Sequence, residues 1–227
     1  MRADRPEGND RPNMKRRTLF RGVSGGVGVL MAVQAKTALG SVLCQSPSAM
    51  FSGNTSHQPG TGTTCSGGVS PGFWKQPQKF SYWTGATPPT FNVPVSECLS
   101  GMQNLTTANE TNHGTLLSTL FTGAPSGVGM WDVLAFPTDY ANGQLLRTLT
   151  AAWLNAKYAW PGGTYPLTPS EVQSMWAQIR ASGYYCPTSM TCAANTGWTS
   201  SQVISYIQGM YDLNAATVEG PNLCKKN

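Results

Sequence analysis

The clearest helical pattern in this 227-residue sequence is Leu145-Leu146-Arg147-Thr148-Leu149-Thr150-Ala151-Ala152-Trp153-Leu154-Asn155-Ala156. Its apolar residues recur at spacings of three and four, which places them on one face of a helix. They are Leu145, Leu146, Leu149, Ala152, Trp153 and Ala156. The pattern predicts an amphipathic helix over about 139–159 that begins near Asp139, and Pro161-Gly162-Gly163 ends it. Because other elements must cover its apolar face, this helix is the predicted centre of a domain.

Two further helices are predicted after it, each by a capping box. Thr168 is the expected cap of the first, with Pro169 at the first helical position and Glu171 at the third. Thr199 and Gln202 repeat the pairing at the start of the second. The residues predicted to face inward are Val172, Met175, Trp176 and Ile179 in the first helix, and Val203, Ile204, Tyr206, Ile207 and Met210 in the second.

The chain before these helices has a different character. Residues 65–100 carry aromatic side chains among Pro and Gly, which predicts an irregular lobe with one or two short strands or turns. Apolar runs follow at 115–121, predicted to be helical, and at 130–136, where the type of element stays open. Residues 41–64 show no apolar periodicity and are predicted to be a flexible spacer. The domain prediction is therefore a single mainly helical domain over 65–227.

Residues 1–40 have the pattern of an export signal. The stretch Lys15-Arg16-Arg17-Thr18-Leu19-Phe20-Arg21 resembles the twin-arginine signal, whose consensus is roughly S/T-R-R-x-F-L-K, with Arg16 and Arg17 as the arginine pair. The apolar run Gly22–Gln34 that follows is too short for a spanning helix, which needs about 20 apolar residues. The alternative is a basic disordered tail ahead of a buried apolar helix.

Both the start of this signal region and its cleavage site have two alternatives. Cleavage could follow Ala35 or Gly40, and translation could start at Met1 or at Met14, since the first thirteen residues are polar.

Basic residues are concentrated in the signal region. Residues 1–40 hold eight of the fifteen Lys and Arg residues and three of the ten acidic residues, and residues 41–227 hold seven of each. The exported part is therefore formally neutral, although the whole chain has a formal charge of +5. A neutral domain lacks the basic stripe that attracts phosphates, so we expect no nucleic-acid partner. We also expect no integral membrane segment in the mature chain.

All six cysteines lie after the signal region. They are Cys44, Cys65, Cys98, Cys186, Cys192 and Cys224. An even number in an oxidising compartment predicts three disulfides, of which Cys186–Cys192 closes the smallest loop. Cys65–Cys98 with Cys44–Cys224 is one arrangement of the other four. The predicted fold class is thus mainly α, a disulfide-stabilised helical domain with an irregular aromatic-rich N-terminal lobe.

The segment Cys65-Ser66-Gly67-Gly68-Val69-Ser70-Pro71-Gly72-Phe73-Trp74-Lys75 resembles the Cys…G-[YF]-W-K-x-H segment of a group of secreted bacterial surface proteins. In that group a helix of the type L-x-x-x-L-x-A-A-x-L-N-A follows, which resembles 145–156 here. The segment Tyr165-Pro166-Leu167-Thr168, which leads into a capped helix, also matches. The resemblance implies location and architecture more than activity.

One position departs from that group. The usual His of the motif is Pro77 in this chain, so if that His is a metal ligand or general base in the group, this chain lacks it. The structural interpretation is that Gly72 permits close backbone approach, Trp74 fills the helical layer and Lys75 lays its stem on an aromatic face. The functional interpretation is a binding surface for glycans or proteins. Its candidate residues are Phe73, Trp74, Lys75, Tyr82 and Trp83.

Signals for an active site or a metal centre are weak. No G-x-S-x-G, H-E-x-x-H or P-loop occurs, and no C-x-x-C pair suggests a metal site, so we expect no cofactor and no metal. His113 with Asp132 or Asp139 is one catalytic alternative. Glu110 and Asp132 are another, as a carboxylate pair of a glycosidase.

These features favour a non-enzymatic exported protein of a Gram-negative bacterium. It would be a surface or extracellular-matrix component, located extracellularly or at the cell surface, or alternatively in the periplasm. It would act by binding or self-association, with other surface proteins, itself or extracellular glycans as partners. The alternative is a secreted or periplasmic hydrolase of polysaccharide or cell wall, and a small-molecule carrier is a third possibility.

Overall fold

The computed structural model describes residues 46–48, 68–92, 105–159, 165–188, 190–194 and 196–211. The predicted signal region with Arg16 and Arg17, most of the predicted spacer and the cysteines at positions 44, 65, 98 and 224 lie outside the described residues.

Helices dominate the described part of the chain, as the sequence predicted. The α-helices are α1 (Pro71–Trp74), α2 (Leu117–Leu120), α3 (Met130–Ala135), α4 (Gly143–Lys157), α5 (Pro169–Ser182) and α6 (Ser200–Met210). Short 3-10 helices cover Pro77–Tyr82, Thr107–Asn109 and Pro137–Asp139. Strand β1 (Thr90–Phe91) pairs antiparallel with β2 (Glu110–Asn112). The described part of the predicted irregular stretch, residues 68–92, contains only short helical turns and the strand β1, and the run 115–121 contains the predicted helix as α2. The segment 130–136, whose type was open, is largely the helix α3.

Helix α4 forms the centre of the fold and packs against α1, α3, α5 and α6. Five of its six predicted inward residues are buried, and Ala156 at its end is half-buried. The predicted start at Asp139 is wrong. Asp139 closes the separate 3-10 helix Pro137–Asp139, and Asn142 then adopts a left-handed conformation (φ 56°) that interrupts the helical path before Gly143.

Both predicted capping boxes are confirmed. Thr168 Oγ1 accepts the Glu171 backbone N–H at 3.2 Å, and a Glu171 side-chain oxygen accepts the Thr168 N–H at 2.8 Å. Thr199 and Gln202 exchange the corresponding bonds at the start of α6. The predicted inward residues of both helices are buried, except that Ile179 and Ile204 are half-buried.

A buried amide joins the N-terminal lobe to the central helix. Asn155 Oδ1 accepts the backbone N–H of Val69 at 3.0 Å and the indole N–H of Trp74 at 3.1 Å, and Asn155 Nδ2 donates to the Val69 carbonyl at 2.9 Å. Gly68 adopts φ 70°, and a Cβ there would lie 2.5 Å from the Asn155 side chain. The close backbone approach therefore occurs at Gly68 and not at Gly72, where the corresponding nearest atom is 3.4 Å away.

The predicted bridge between Cys186 and Cys192 is present, with their Cα atoms 5.8 Å apart. It lies in the segment between α5 and α6, which is also held by backbone pairing of Tyr185 with Trp198. Among the described residues, no helix combines the length and the apolar character that crossing a membrane requires.

Candidate functional site

The candidate functional site is a cluster of two carboxyl groups and one imidazole, from Glu110, Asp132 and His113. Glu110 begins β2, His113 follows that strand by one residue, and Asp132 lies in the first turn of α3. The sequence singled out all three, but as members of two separate alternatives. The fold brings them into one group, in which Glu110 and Asp132 are 22 positions apart in the sequence.

A tight turn after β2 sets the position of His113. The Asn112 side-chain oxygen accepts the Gly114 N–H at 2.7 Å, and Gly114 adopts φ 63°. The Thr115 N–H then donates to the Thr87 carbonyl at 2.8 Å. A Cβ at Gly114 would lie 2.3 Å from that same Thr87 oxygen, so the turn requires glycine for its backbone conformation and for the space.

Asp132 is oriented by the start of α3. Its Oδ2 accepts the Gly129 N–H at 2.7 Å, which is the reciprocal bond of a helix N-terminus. The backbone of Gly129 pairs with Leu116, three residues after His113. This pairing holds the turn that carries His113 against the helix that carries Asp132.

The three side chains are in direct contact. His113 Nδ1 lies against Glu110 Oε2 and is 3.3 Å from Asp132 Oδ2. The side chains of Glu110 and Asp132 are only 1% and 2% exposed, whereas that of His113 is 45% exposed. The cluster is therefore a buried carboxyl pair that reaches solvent through an imidazole.

Burial raises the pKa of Glu110 to about 8, and the negative charge of Asp132 acts in the same direction. At neutral pH the pair therefore tends to keep one proton, because two adjacent buried carboxylates repel each other. Tyr140 is also affected. Burial first, then the charges of Asp132, Asp139 and Glu110, raises the pKa of its hydroxyl.

This geometry limits the chemistry of the pair. Glycosidases hold their two carboxyl groups at least about 5 Å apart to fit a sugar or a water between them. In this cluster, ligand oxygens of Glu110 and Asp132 lie within 4.8 Å of each other, and the His113 imidazole contacts both carboxyl groups. This close, buried arrangement fits proton exchange or cation binding, and the interpretation of Glu110 and Asp132 as a hydrolytic pair stays a prediction.

The predicted aromatic binding surface is largely inside the protein. The side chains of Phe73, Trp74 and Trp83 are buried in the core, so these rings are not free to stack on a glycan. Tyr82 and Lys75 are half-buried. The assignment of Phe73, Trp74 and Trp83 to a binding surface is therefore wrong, and Trp74 has the core-filling role that was its structural alternative.

Two lysines lie near these rings. Lys79 places its ammonium 5.0 Å from the ring centre of Phe73 and 5.8 Å from that of Tyr82. Lys75 instead provides a backbone carbonyl that accepts the indole N–H of Trp131 at 2.9 Å. In the aromatic lobe, a backbone carbonyl therefore accepts an indole N–H, and the Lys79 ammonium lies over two of the rings.

The sequence interpretation missed Tyr140 as a neighbour of the cluster. The phenol follows the 3-10 helix Pro137–Asp139, and no motif marks it. Asp139, which was an alternative partner of His113, does not belong to the group of potential ligand atoms formed by Glu110, His113 and Asp132.

Comparisons of this chain with protein-family models, with curated proteins and with solved structures gave no significant match.

Proposed function

We propose that this chain is an exported, non-enzymatic protein of the bacterial surface or extracellular matrix that acts by binding other surface proteins or by self-association. The observation that carries the proposal is the Cys186–Cys192 bridge. Structural disulfides persist in oxidising compartments and are rare in the cytosol. The twin-arginine pattern at Arg16 and Arg17 and the resemblance to secreted surface proteins are consistent with that location.

The surface chemistry supports a protein partner more than a glycan. Trp74 and Trp83, which would stack on sugar rings, are used in the core. Charge is sparse, since residues 41–227 hold fourteen charged side chains and are formally neutral. A weakly charged surface opposes association only weakly, because little charge repulsion keeps copies or partners apart.

Export is tested by changing the arginine pair. The double variant Arg16→Lys/Arg17→Lys should leave the full chain in the cytoplasm, whereas Arg21→Lys, which matches the consensus base at that place, should be exported like the wild type. Immunoblots of cytoplasm, periplasm, outer membrane and medium measure the distribution. Equal export of the double variant and the wild type would contradict a twin-arginine route.

Binding is tested on the exported protein. Non-reducing mass spectrometry of each fraction reports the cleavage site and the disulfides. Light scattering over a concentration series reports self-association, and a cell-binding assay reports partners. A protein that stays monomeric at high concentration and does not bind to cells would overturn the proposed function.

A hydrolase is the second candidate, and the observation that favours it is the raised pKa of Glu110 beside the half-exposed His113. Strongly perturbed carboxyl groups are common in active sites. Glu110→Gln and Asp132→Asn should abolish hydrolysis of polysaccharide or cell wall if the cluster is catalytic, with Asp139→Asn as the matched control. Absence of hydrolysis in the wild type, or equal activity in all variants, would exclude this role of the cluster.

A further inference from the structure

The buried carboxyl groups of the cluster have acceptor atoms without partners. Glu110 Oε1 and Asp132 Oδ1 have no hydrogen-bond partner among the described residues. Asp132 Oδ2 is used by the Gly129 N–H, and His113 Nδ1 is shared between one oxygen of each carboxyl group. Uncompensated buried carboxylates are costly, so two ionised groups here require more positive charge than one imidazolium provides.

The spacing of the donor atoms fits a single metal ion. Two ligands that bind a tetrahedral ion at about 2.0–2.1 Å lie roughly 3.3–3.4 Å from each other. His113 Nδ1 and Asp132 Oδ2 are 3.3 Å apart, and ligand atoms of all three residues lie within 4.8 Å of one another. Glu110 Oε2 is in closer contact with His113 Nδ1 than two ligands of one ion are, so the Glu110 carboxyl would shift slightly or bind through its other oxygen, Oε1.

We infer that Glu110, His113 and Asp132 bind one divalent transition-metal ion, with Zn²⁺ as the best fit. One imidazole nitrogen with two carboxylates suits Zn²⁺, whereas Ca²⁺ takes six to eight oxygen ligands and Mg²⁺ prefers an octahedron of oxygens. The half-exposed side of His113 leaves an approach for the ion and for a water as fourth ligand.

The ion would tie together two segments of the fold. Glu110 and His113 belong to β2 and its turn, and Asp132 belongs to α3. A ligand that binds the folded chain stabilises it in proportion to the logarithm of its concentration over the dissociation constant. Metal binding goes beyond the proposed surface function, and either one can hold without the other.

The test uses the full chain, purified without an affinity tag and freed of metal with a chelator. Titration with Zn²⁺ should give one ion per chain with a micromolar or lower dissociation constant, and saturating Zn²⁺ should raise Tm by about 5 °C. His113→Ala should weaken binding at least tenfold and remove most of the Tm shift. Asp139→Asn, a change at an exposed acidic residue outside the ligand group, is the control and should bind like the wild type.

Glu110→Gln gives a second measurement that does not depend on the folding of the His113 variant, and it too should weaken binding at least tenfold. Co²⁺ bound to the wild type should show visible absorption bands that His113→Ala lacks. Absence of Zn²⁺ binding, or equal binding by the wild type and both cluster variants, would overturn the site. Tighter binding of Ca²⁺ than of Zn²⁺ would overturn the assignment to a transition metal.

Discussion

Trp74 donates its indole N–H to the side-chain oxygen of Asn155 over 3.1 Å, and this bond joins the N-terminal lobe to the central helix. Both residues are buried, and Asn155 also satisfies the backbone of Val69. Trp74 lies in α1 and Asn155 in α4, so the two segments are held together by a bond that neither can form alone.

Asn155→Ala should destabilise the domain by about 3 kcal/mol, because it leaves the Trp74 indole and both backbone groups of Val69 buried without partners. Urea unfolding followed by tryptophan fluorescence measures the change. Gln144→Ala is the control, since Gln144 is an exposed amide on the same helix and its loss should cost less than about 0.5 kcal/mol. A similar small effect at both positions would show that the buried amide does not hold the lobe.

Gly68→Ala should be strongly destabilising, by about 2–4 kcal/mol, for two reasons. The backbone has φ 70°, and the new Cβ would lie 2.5–2.8 Å from three atoms of the Asn155 side chain. Gly72→Ala provides the comparison, because its Cβ would meet only Ser70 Oγ at 3.4 Å. Thermal unfolding of both variants should show a clear loss of Tm at Gly68 and little change at Gly72, and the reverse order would contradict the packing of this segment.

Local signals in the sequence were sufficient for the larger helices. The three- and four-residue periodicity of α4 and the capping pairs of Thr168 and Thr199 depend on neighbours within one or two turns, so they can be read without knowing the fold. The four-residue helices α1 and α2 are too short to show a period. The break at Asn142 was not predicted, because a single residue in the left-handed conformation does not alter the spacing of the apolar residues.

The site depends on contacts that the sequence does not encode locally. Glu110 and Asp132 meet because β2 and α3 are brought together by the turn at Gly114 and the pairing of Leu116 with Gly129. In a sequence, a tryptophan that fills the core cannot be told from one that stacks on a sugar. For this reason Trp74 was assigned to a binding surface, although it is buried. Burial decides between these roles, and burial is a property of the fold.

The double variant Cys186→Ser/Cys192→Ser should lower the free energy of unfolding by about 2 kcal/mol, since the bridge closes a short loop in the unfolded chain. The comparison of the double variant with the wild type is made on oxidised protein in urea. Cys186→Ser alone serves as a check, because it removes the same bridge. A double variant as stable as the oxidised wild type would show that the loop is held by other contacts, such as the pairing of Tyr185 with Trp198.

The metal-free domain should lose stability as the pH rises from about 4.5 to about 8. Glu110 has a pKa of about 8 in the folded chain and 4.5 as its ordinary value, so the folded state keeps a proton that the unfolded state releases. The stabilising contribution is complete below pH 4.5 and is lost as the pH passes the folded value. After allowance for screening by solvent, its total is about 2–4 kcal/mol. Urea unfolding in the presence of a chelator at several pH values measures this slope.

Glu110→Gln should remove that slope, because the amide does not titrate, and the variant should be at least as stable as the wild type near pH 8. The comparison isolates Glu110 from the other titratable groups around it, His113, Asp132 and Tyr140, which both proteins retain. Asp139→Asn, an acid-to-amide change outside the contact group, should keep the slope of the wild type. Since added Zn²⁺ favours the ionised carboxyl groups, it should flatten the profile of the wild type and leave that of Glu110→Gln nearly unchanged. A wild-type profile that is already flat without metal would contradict both the buried proton and the coupling to the ion.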